Sequence, residues 1–317
     1  MGMAKLSLII PCYNSGGHLT KLFASIERQS PKVEAVFVLD PSGDDSESIL
    51  RGFCEKSGHK LFVNKSRLGV MASRLVGILN SSGEYVAFAD ADDFLEDDFS
   101  KRILEAFESS GADILDFSFY FDRDDGVSKK SFLRLPARKL DKYQAIKSLL
   151  GDVYMRGYLW NKAFKREMLL GTPYINIPYF EDTPFLFCCL SRANSIYRFN
   201  DALYHYNKQT ADDSLTNHPH PERALEHLLA FLSMRHYADI LGDERILKAV
   251  RGSYLRSYFS LLYDLSVSKK GGLGKEEAKK IKRALKLLKS KTPIPVDDPL
   301  YGELLGACIK HEFPTGV

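Results

Sequence analysis

The stretch Tyr85-Val86-Ala87-Phe88-Ala89-Asp90-Ala91-Asp92-Asp93 joins an apolar run to a tight group of carboxylates. Acids so close repel one another unless a positive charge stands among them. A divalent cation meets that need, because hard Mg2+ or Mn2+ prefers carboxylate oxygen and keeps coordination sites for a phosphate-bearing ligand. Asp92 and Asp90 are therefore the candidate metal ligands. The plainer reading makes these acids caps of a helix expected near Asp98, since acids favour helix starts. One cap needs only one acid. A further carboxylate, Asp40, ends another apolar run ahead of Pro41-Ser42-Gly43. It either opens a turn or, being acceptor-only, takes a hydrogen bond from the N3 donor of a uracil ring.

Such groups act together only if the elements that carry them end in one place. Leu6 to Ile10 reads as a short strand closed by Pro11, and Leu19, Leu22, Phe23 and Ile26 follow at helical spacing. Val33 to Leu39 is a second strand, with Ile49, Leu50 and Phe53 on the next helix. Lys60 to Val63, a helix over 70–79 and the turn Ser81-Ser82-Gly83 lead into the strand before Asp90. Strands alternating with crossover helices predict an α/β fold with a doubly wound, mostly parallel sheet. The loops after Pro11, Leu39 and Ala89 then gather at its carboxyl edge, where open α/β sheets bind ligands. Cys12 to His18 lacks the glycine spacing of a dinucleotide fingerprint, so other residues must hold any phosphate. Beyond about residue 217 the pattern turns helical, over 221–240, 244–266 and 275–289. The expected division is one domain over 1–217, in halves 1–120 and 121–217, and a helical region over 218–317.

Leu8-Ile9-Ile10-Pro11-Cys12-Tyr13-Asn14, the Asp40 turn, Arg67 to Arg74, Gly83-Glu84-Tyr85 and Asp90-Ala91-Asp92-Asp93 follow in order, with Tyr158 to Lys162 and Phe180 to Thr183 beyond them. Together they resemble a family 2 glycosyltransferase with the GT-A fold, closely over about the first 120 residues and more loosely to about 216. The resemblance implies an inverting, metal-dependent enzyme that moves a sugar from a nucleotide-sugar donor, UDP-linked, to a glycan or lipid-linked saccharide in surface polysaccharide synthesis. It gives Asp40 the base, Asp90 and Asp92 the DxD pair with Asp92 facing Mn2+ or Mg2+, and Asp182 the acceptor proton, with Glu181 as the alternative base. Pro11, Tyr13, Asn14 and Ala91 fall in the donor-binding motifs, and Arg74 and Lys162 where the family places cations near the diphosphate or donor sugar. Leu39, Pro41 and Leu75 depart from the family pattern around Asp40 and after Arg74. The chemistry agrees with the residue types: displacing a nucleoside diphosphate from a sugar C1 builds negative charge on the leaving oxygens, and a carboxylate must take the proton of the attacking hydroxyl. Asp182 stands just before Thr183-Pro184, read as helix cap and first helical residue, so it also suits a helix start.

Two rival readings are a non-catalytic sugar-nucleotide or membrane-binding module and a phosphohydrolase using Asp90-x-Asp92 as nucleophile and acid. The latter expects Thr or Val where Phe94 stands. A formal charge of +3 over 317 residues argues for no nucleic-acid partner. No run reaches the roughly eighteen apolar residues of a membrane span, nor does the amino end read as a signal peptide. Five scattered cysteines suggest reduced core thiols and a cytoplasmic location. The lysine-rich faces of 275–289, around a stripe of Ala278, Ile281, Leu285 and Leu288, fit a peripheral contact with the inner face of a membrane or a solvated helix equally. Trp160 is a sugar-stacking or a core residue, Asp122 to Gly126 a solvated hairpin tip, and Tyr204 to Asn207 a short strand that lines the acceptor side or packs.

Overall fold

The computed structural model describes residues 4–122, 128–130, 137–151, 155–207 and 223–251, together with Ser253 and Lys279. In chain order the elements are β1 (Leu6–Cys12), α1 (Leu19–Glu27), β2 (Glu34–Leu39), α2 (Ser46–Ser57), β3 (Lys60–Val63), α3 (Val70–Asn80) and β4 (Tyr85–Phe88). The strands β3, β2, β1 and β4 lie side by side in that order, all parallel. Strands flanked on both sides and covered on both faces read as unbroken apolar runs, and β1, β2 and β4 are buried almost throughout. The helix α3 packs closely on this sheet: a Cβ on Gly77 would sit 2.3 Å from Cγ2 of Ile9.

The chain continues through β5 (Phe94–Leu95), α4 (Phe99–Ser110), β6 (Ile114–Asp122), β7 (Ser128–Lys130), β8 (Arg138–Leu140), α5 (Lys142–Gly151), β9 (Lys162–Lys165), α6 (Arg166–Leu169), α7 (Asp182–Arg192), β10 (Ile196–Asn207) and α8 (Arg223–Leu241). Here the sheet becomes mixed. The strand β9 runs antiparallel between β4 and β6, β10 pairs β6 in parallel, and β5, β7 and β8 add antiparallel partners. One apolar cluster joins the sheet to α1, α2 and α4 through residues such as Leu22, Ile26, Leu50, Phe37, Phe99, Ile103 and Phe117. Each fully buried Phe or Ile contributes roughly 1.5–3 kcal/mol.

Some expectations shift. The first strand runs through Pro11 to Cys12, because β4 stops at Phe88 opposite Ile9, so the N–H that proline lacks has no strand to meet on that side. Residues 122 and 128–130 form the arms of the expected hairpin, whose tip at 123–127 lies outside the described residues. Asp122 itself is not solvated: its carboxylate lies 3.0 Å from Nδ1 of His205. Cys12, Cys54, Cys188 and Cys189 are buried thiols outside any disulfide. Among the described residues no helix is long and apolar enough to cross a membrane, and 275–289, Lys279 apart, lies outside them.

The chain groups into two compact units, residues 1–142, 158–172 and 192–212 in one and 143–157, 173–191 and 213–317 in the other. This differs from a border at 217, since α5 and most of α7 join the carboxyl-terminal helices. In that second unit Tyr143 donates to Oδ2 of Asp243 at 2.8 Å, and Phe187 meets Tyr237 edge to face at 6.3 Å.

Candidate active site

Parallel pairing brings the carboxyl ends of β1, β2, β3 and β4 to one edge. The main chain continues the ladder past the strands, with Asp40 N donating to Cys12 O, Asn64 N to Leu39 O and Ala89 N to Ile9 O. The loops after β1 and β2 are laced together: Asn14 N donates to Oγ of Ser42 at 3.0 Å, Gly43 N to Oδ1 of Asn14 at 3.0 Å, and Ser15 N to Oγ of Ser46 at 2.7 Å. Asn14 takes the left-handed φ of 47° that this crossing needs, a conformation asparagine tolerates better than most residues. Tyr13 is 42% exposed, with the Arg67 guanidinium 4.0 Å from its ring centroid. Pro11 and Ala91 sit at the same edge, Ala91 buried and Pro11 partly so.

Asp40 lies at this edge but is turned inward, 3% exposed. Its Oδ1 accepts from Nδ2 of Asn64 at 2.8 Å, Leu68 N at 3.1 Å and Oγ of Ser73 at 3.4 Å, and its Oδ2 from Gly69 N at 2.9 Å. A carboxylate accepts about four hydrogen bonds; here three fall on Oδ1 and one on Oδ2. These side-chain bonds reach the 64–73 segment, while the turn just after Asp40 is met by its main chain, Oγ of Ser42 donating to Asp40 O at 2.9 Å. Gly69 supplies a φ of 87°, open to glycine and strained for other residues, as α3 begins.

At the end of β4 the acids separate into different environments. Asp90, 32% exposed in its side chain, pairs with buried Arg74 of α3 at 3.1 Å. Asp92 is partly exposed. Asp93 is fully buried, accepting from the Tyr204 phenol at 2.6 Å and from Asn207 N at 2.8 Å. Burial, followed by the charges of Asp92 and Asp90, pushes the Asp93 carboxyl well above the usual range, while its bonds from Tyr204 and Asn207 work the other way. The same two residues of β10 hold the backbone of the loop: Asp90 N donates to the Tyr204 oxygen at 3.0 Å, and Nδ2 of Asn207 to Asp92 O at 3.1 Å. Asp90 and Asp92 cap no helix, for α4 starts at Phe99 with Asp98 at its cap position. Sequence reasoning missed Tyr204 and Asn207 as partners of this loop; they stand more than a hundred positions away, and no local pattern signals the pairing.

Lys162, which the resemblance places near the diphosphate or donor sugar, is turned into the protein. It is 0% exposed, on β9, with Nζ donating to Tyr158 O and to Oδ1 of Asn161 at 2.7 Å each and lying 3.4 Å from Asp116. Asp116 in turn pairs with Arg198 of β10 at 2.7 Å. These three charges occupy registered positions on adjacent strands, the side chains on one face of the sheet. Trp160 is core, 4% exposed, and Tyr204 packs on it.

Asp182 and Glu181 belong to the second unit. The helix begins two residues earlier than expected, at Asp182, and Glu181 O accepts from Phe185 N. Glu181 thus holds the cap position and Asp182 the first helical one.

A metal at the β4 edge would find Asp92 and Asp90. Among the described residues no three His, Cys, Asp or Glu side chains converge on one metal position. That suits Mg2+ or Mn2+ held by one or two carboxylates and completed by ligand phosphates and water, and does not suit an all-protein cage.

Comparison with known proteins agrees with this layout. The chain is 34% identical over 125 residues to glycosyltransferase GlyA of Streptococcus pneumoniae, a stretch that is 39% of this chain and 18% of that protein. The chain thus spans under a fifth of that relative's length. A crystal structure of S. aureus TarS residues 1-349 in complex with UDP-GlcNAc superposes with a TM-score of 0.68 at 20% identity, covering 96% of this chain and 81% of that one. The mannosyltransferase PcManGT of Pyrobaculum calidifontis, in complex with GDP-Man and Mn2+, gives 0.55 at 16% identity, covering 99% of this chain and 89% of that one. At such identities the likeness is one of fold, the GT-A fold. The acids at the end of a fourth strand, one paired with Arg74, leave no place for the phosphohydrolase reading. The profile of Glycosyl transferase family 2 matches residues 7–170, just over half the chain, and the protein therefore belongs to that family of glycosyltransferases.

Proposed function

We propose that the protein is an inverting glycosyltransferase that uses a UDP-sugar and Mn2+ or Mg2+ to extend a glycan or lipid-linked saccharide for a cell-surface polysaccharide. The observation that carries the reading is the division of labour at the end of β4, where Asp90 is tied to Arg74, Asp93 is sealed from water, and Asp92 keeps contact with solvent. The complexes of TarS with UDP-GlcNAc and of PcManGT with GDP-Man and Mn2+ support a nucleotide-sugar donor and a divalent cation for this chain too.

In this reading Asp92, with Asp90 beside it, holds the cation, which when bound neutralises charge on the departing diphosphate. Arg74 holds Asp90 in place and keeps a positive charge against the same edge. Tyr13 and Asn14 line the nucleotide, with Pro11 and Ala91 shaping the strand ends around it. Asp40 serves the nucleotide at one remove, fixing the backbone of Leu68 and Gly69 by its hydrogen bonds. Asp182 takes the proton of the acceptor hydroxyl as it attacks C1 from the face opposite the leaving group, with Glu181 as the neighbouring alternative. The lysine-rich segment 275–289 would rest on an anionic membrane at its cytoplasmic face, next to a lipid-linked acceptor.

The test is UDP-sugar hydrolysis with and without Mn2+, alongside the shift in melting temperature that UDP produces. The expected pattern is a UDP shift that requires the metal and slow metal-dependent hydrolysis. Asp92→Asn should lose both, and Asp182→Asn should lose transfer while keeping the shift. A UDP shift independent of metal, with Asp92→Asn fully active, would remove the proposal.

A further inference from the structure

Among the described residues Tyr158 is one of few large apolar side chains at the surface, 40% exposed. Its ring stacks on Trp160 with centroids 4.8 Å apart and planes 11° apart, so the indole covers one face. Trp160 stacks in turn on Tyr204 at 4.8 Å and on Tyr206 at 5.6 Å. This aromatic column runs from the surface to the phenol that holds Asp93 and the backbone of Asp90.

The residues around Tyr158 fix it from below. The ammonium of Lys162 grips Tyr158 O and Oδ1 of Asn161, Lys162 N donates to Leu159 O at 3.0 Å, and Nδ2 of Asn161 donates to Phe117 O at 3.0 Å. Burying a lysine is costly unless its donors are satisfied. Here the satisfied donors immobilise a turn whose outermost side chain is an exposed ring. Rigid aromatic faces lose little conformational entropy on binding, and the axial C–H bonds of a pyranose present an apolar face to such a ring.

We propose that Tyr158 is the stacking platform for a pyranose ring of the acceptor saccharide. The inference rests on the glycosyltransferase reading and names the acceptor subsite within it. Lys162, Asn161 and Asp116 are then positioning residues for that platform.

Trp160, the single tryptophan of the chain, reports directly on the ring above it. Full-length protein is titrated with methyl β-glucoside, methyl β-galactoside and methyl N-acetyl-β-glucosaminide while tryptophan emission is followed, and UDP with Mn2+ is tested separately by thermal shift. A saturable change is expected with at least one glycoside. Its midpoint should stay within about twofold in Tyr158→Phe and rise about tenfold or more in Tyr158→Ala, the energy of one ring contact. The UDP shift should be equal in all three proteins, which also shows that each is folded. No saturable change in the parent protein, or an unchanged midpoint in Tyr158→Ala, overturns the proposal. A change seen only with UDP-sugars assigns the ring to the donor and overturns the acceptor assignment. Glycoside binding that survives while UDP gives no shift supports the platform and counts against the donor reading alone.

Discussion

Two groups of charges lie on the same sheet and serve opposite ends. At the tip of β4, Asp90 and Asp92 keep access to solvent, although Arg74 and the buried Asp93 stand beside them. Across β9, β6 and β10, Lys162, Asp116 and Arg198 are almost wholly shut from water. A sealed charge can only hold structure, because any ligand would have to displace partners it already has. A charge with one side open can exchange water for a phosphate oxygen or a cation. Residue type alone does not separate these cases, for a lysine in a family motif and an aspartate beside it look equally available in the sequence.

The largest effect that sharpens this contrast is on the open group. Asp92→Asn should lower turnover about a hundredfold or more, the size of losing one preorganised electrostatic contact, while the melting temperature stays near that of the parent. If stability falls and the residual turnover does not, Asp92 belongs with the sealed charges. The next effect is on the sealed group: Lys162→Met should cost about 3 kcal/mol, by leaving Asp116 with Arg198 alone and Tyr158 O without its donor. Urea unfolding at constant slope measures it, with the UDP-induced shift retained in the folded fraction.

A third charge, Glu34, lies at the amino end of β2. Burial works to raise its pKa, but hydrogen bonds from Lys60, Ser7 and Ser82 outweigh it and carry the value down to about 2. A lowered carboxylate stabilises the fold above its unfolded value near 4.5, and that contribution is lost as pH falls toward about 2. Glu34→Gln should therefore cost roughly 1–2 kcal/mol at neutral pH, the gap from the parent closing between those two values in a pH series of melts. The smallest change is at Asp93, whose folded pKa is raised. Its stabilising contribution is complete below the ordinary aspartate value and is lost as pH rises through the folded one. Asp93→Asn, which can keep its bond from Asn207 N, should melt close to the parent in mild acid and above it at alkaline pH. Parallel pH dependence in parent and variant would show Asp93 ionised in the fold.

Much of the first half was legible because its signals are local. The third strand, Lys60–Val63, falls where the apolar pattern places it, and α3 extends only one residue past the expected end. The acids after β4 stand at a strand end because a buried parallel strand must be apolar until it leaves the sheet. The second half resisted for the complementary reason. Its strands pair out of order, β9 entering between β4 and β6, and α5 and α7 group with the carboxyl-terminal helices, so no neighbouring residues record the arrangement.

By itself the sequence determined the alternation of strand and helix, the edge at which the loops gather and the carboxylates that stand there, since periodicity and chain direction suffice for each. Only the tertiary structure decided which charges remain reachable: Asp40 and Lys162 turned inward, Asp93 was buried against Tyr204 and Asn207, and Tyr158 was held at the surface above Trp160. Burial and hydrogen-bond partners set that outcome. Both are contributed by residues distant in the chain, and they exist only once the sheet has closed.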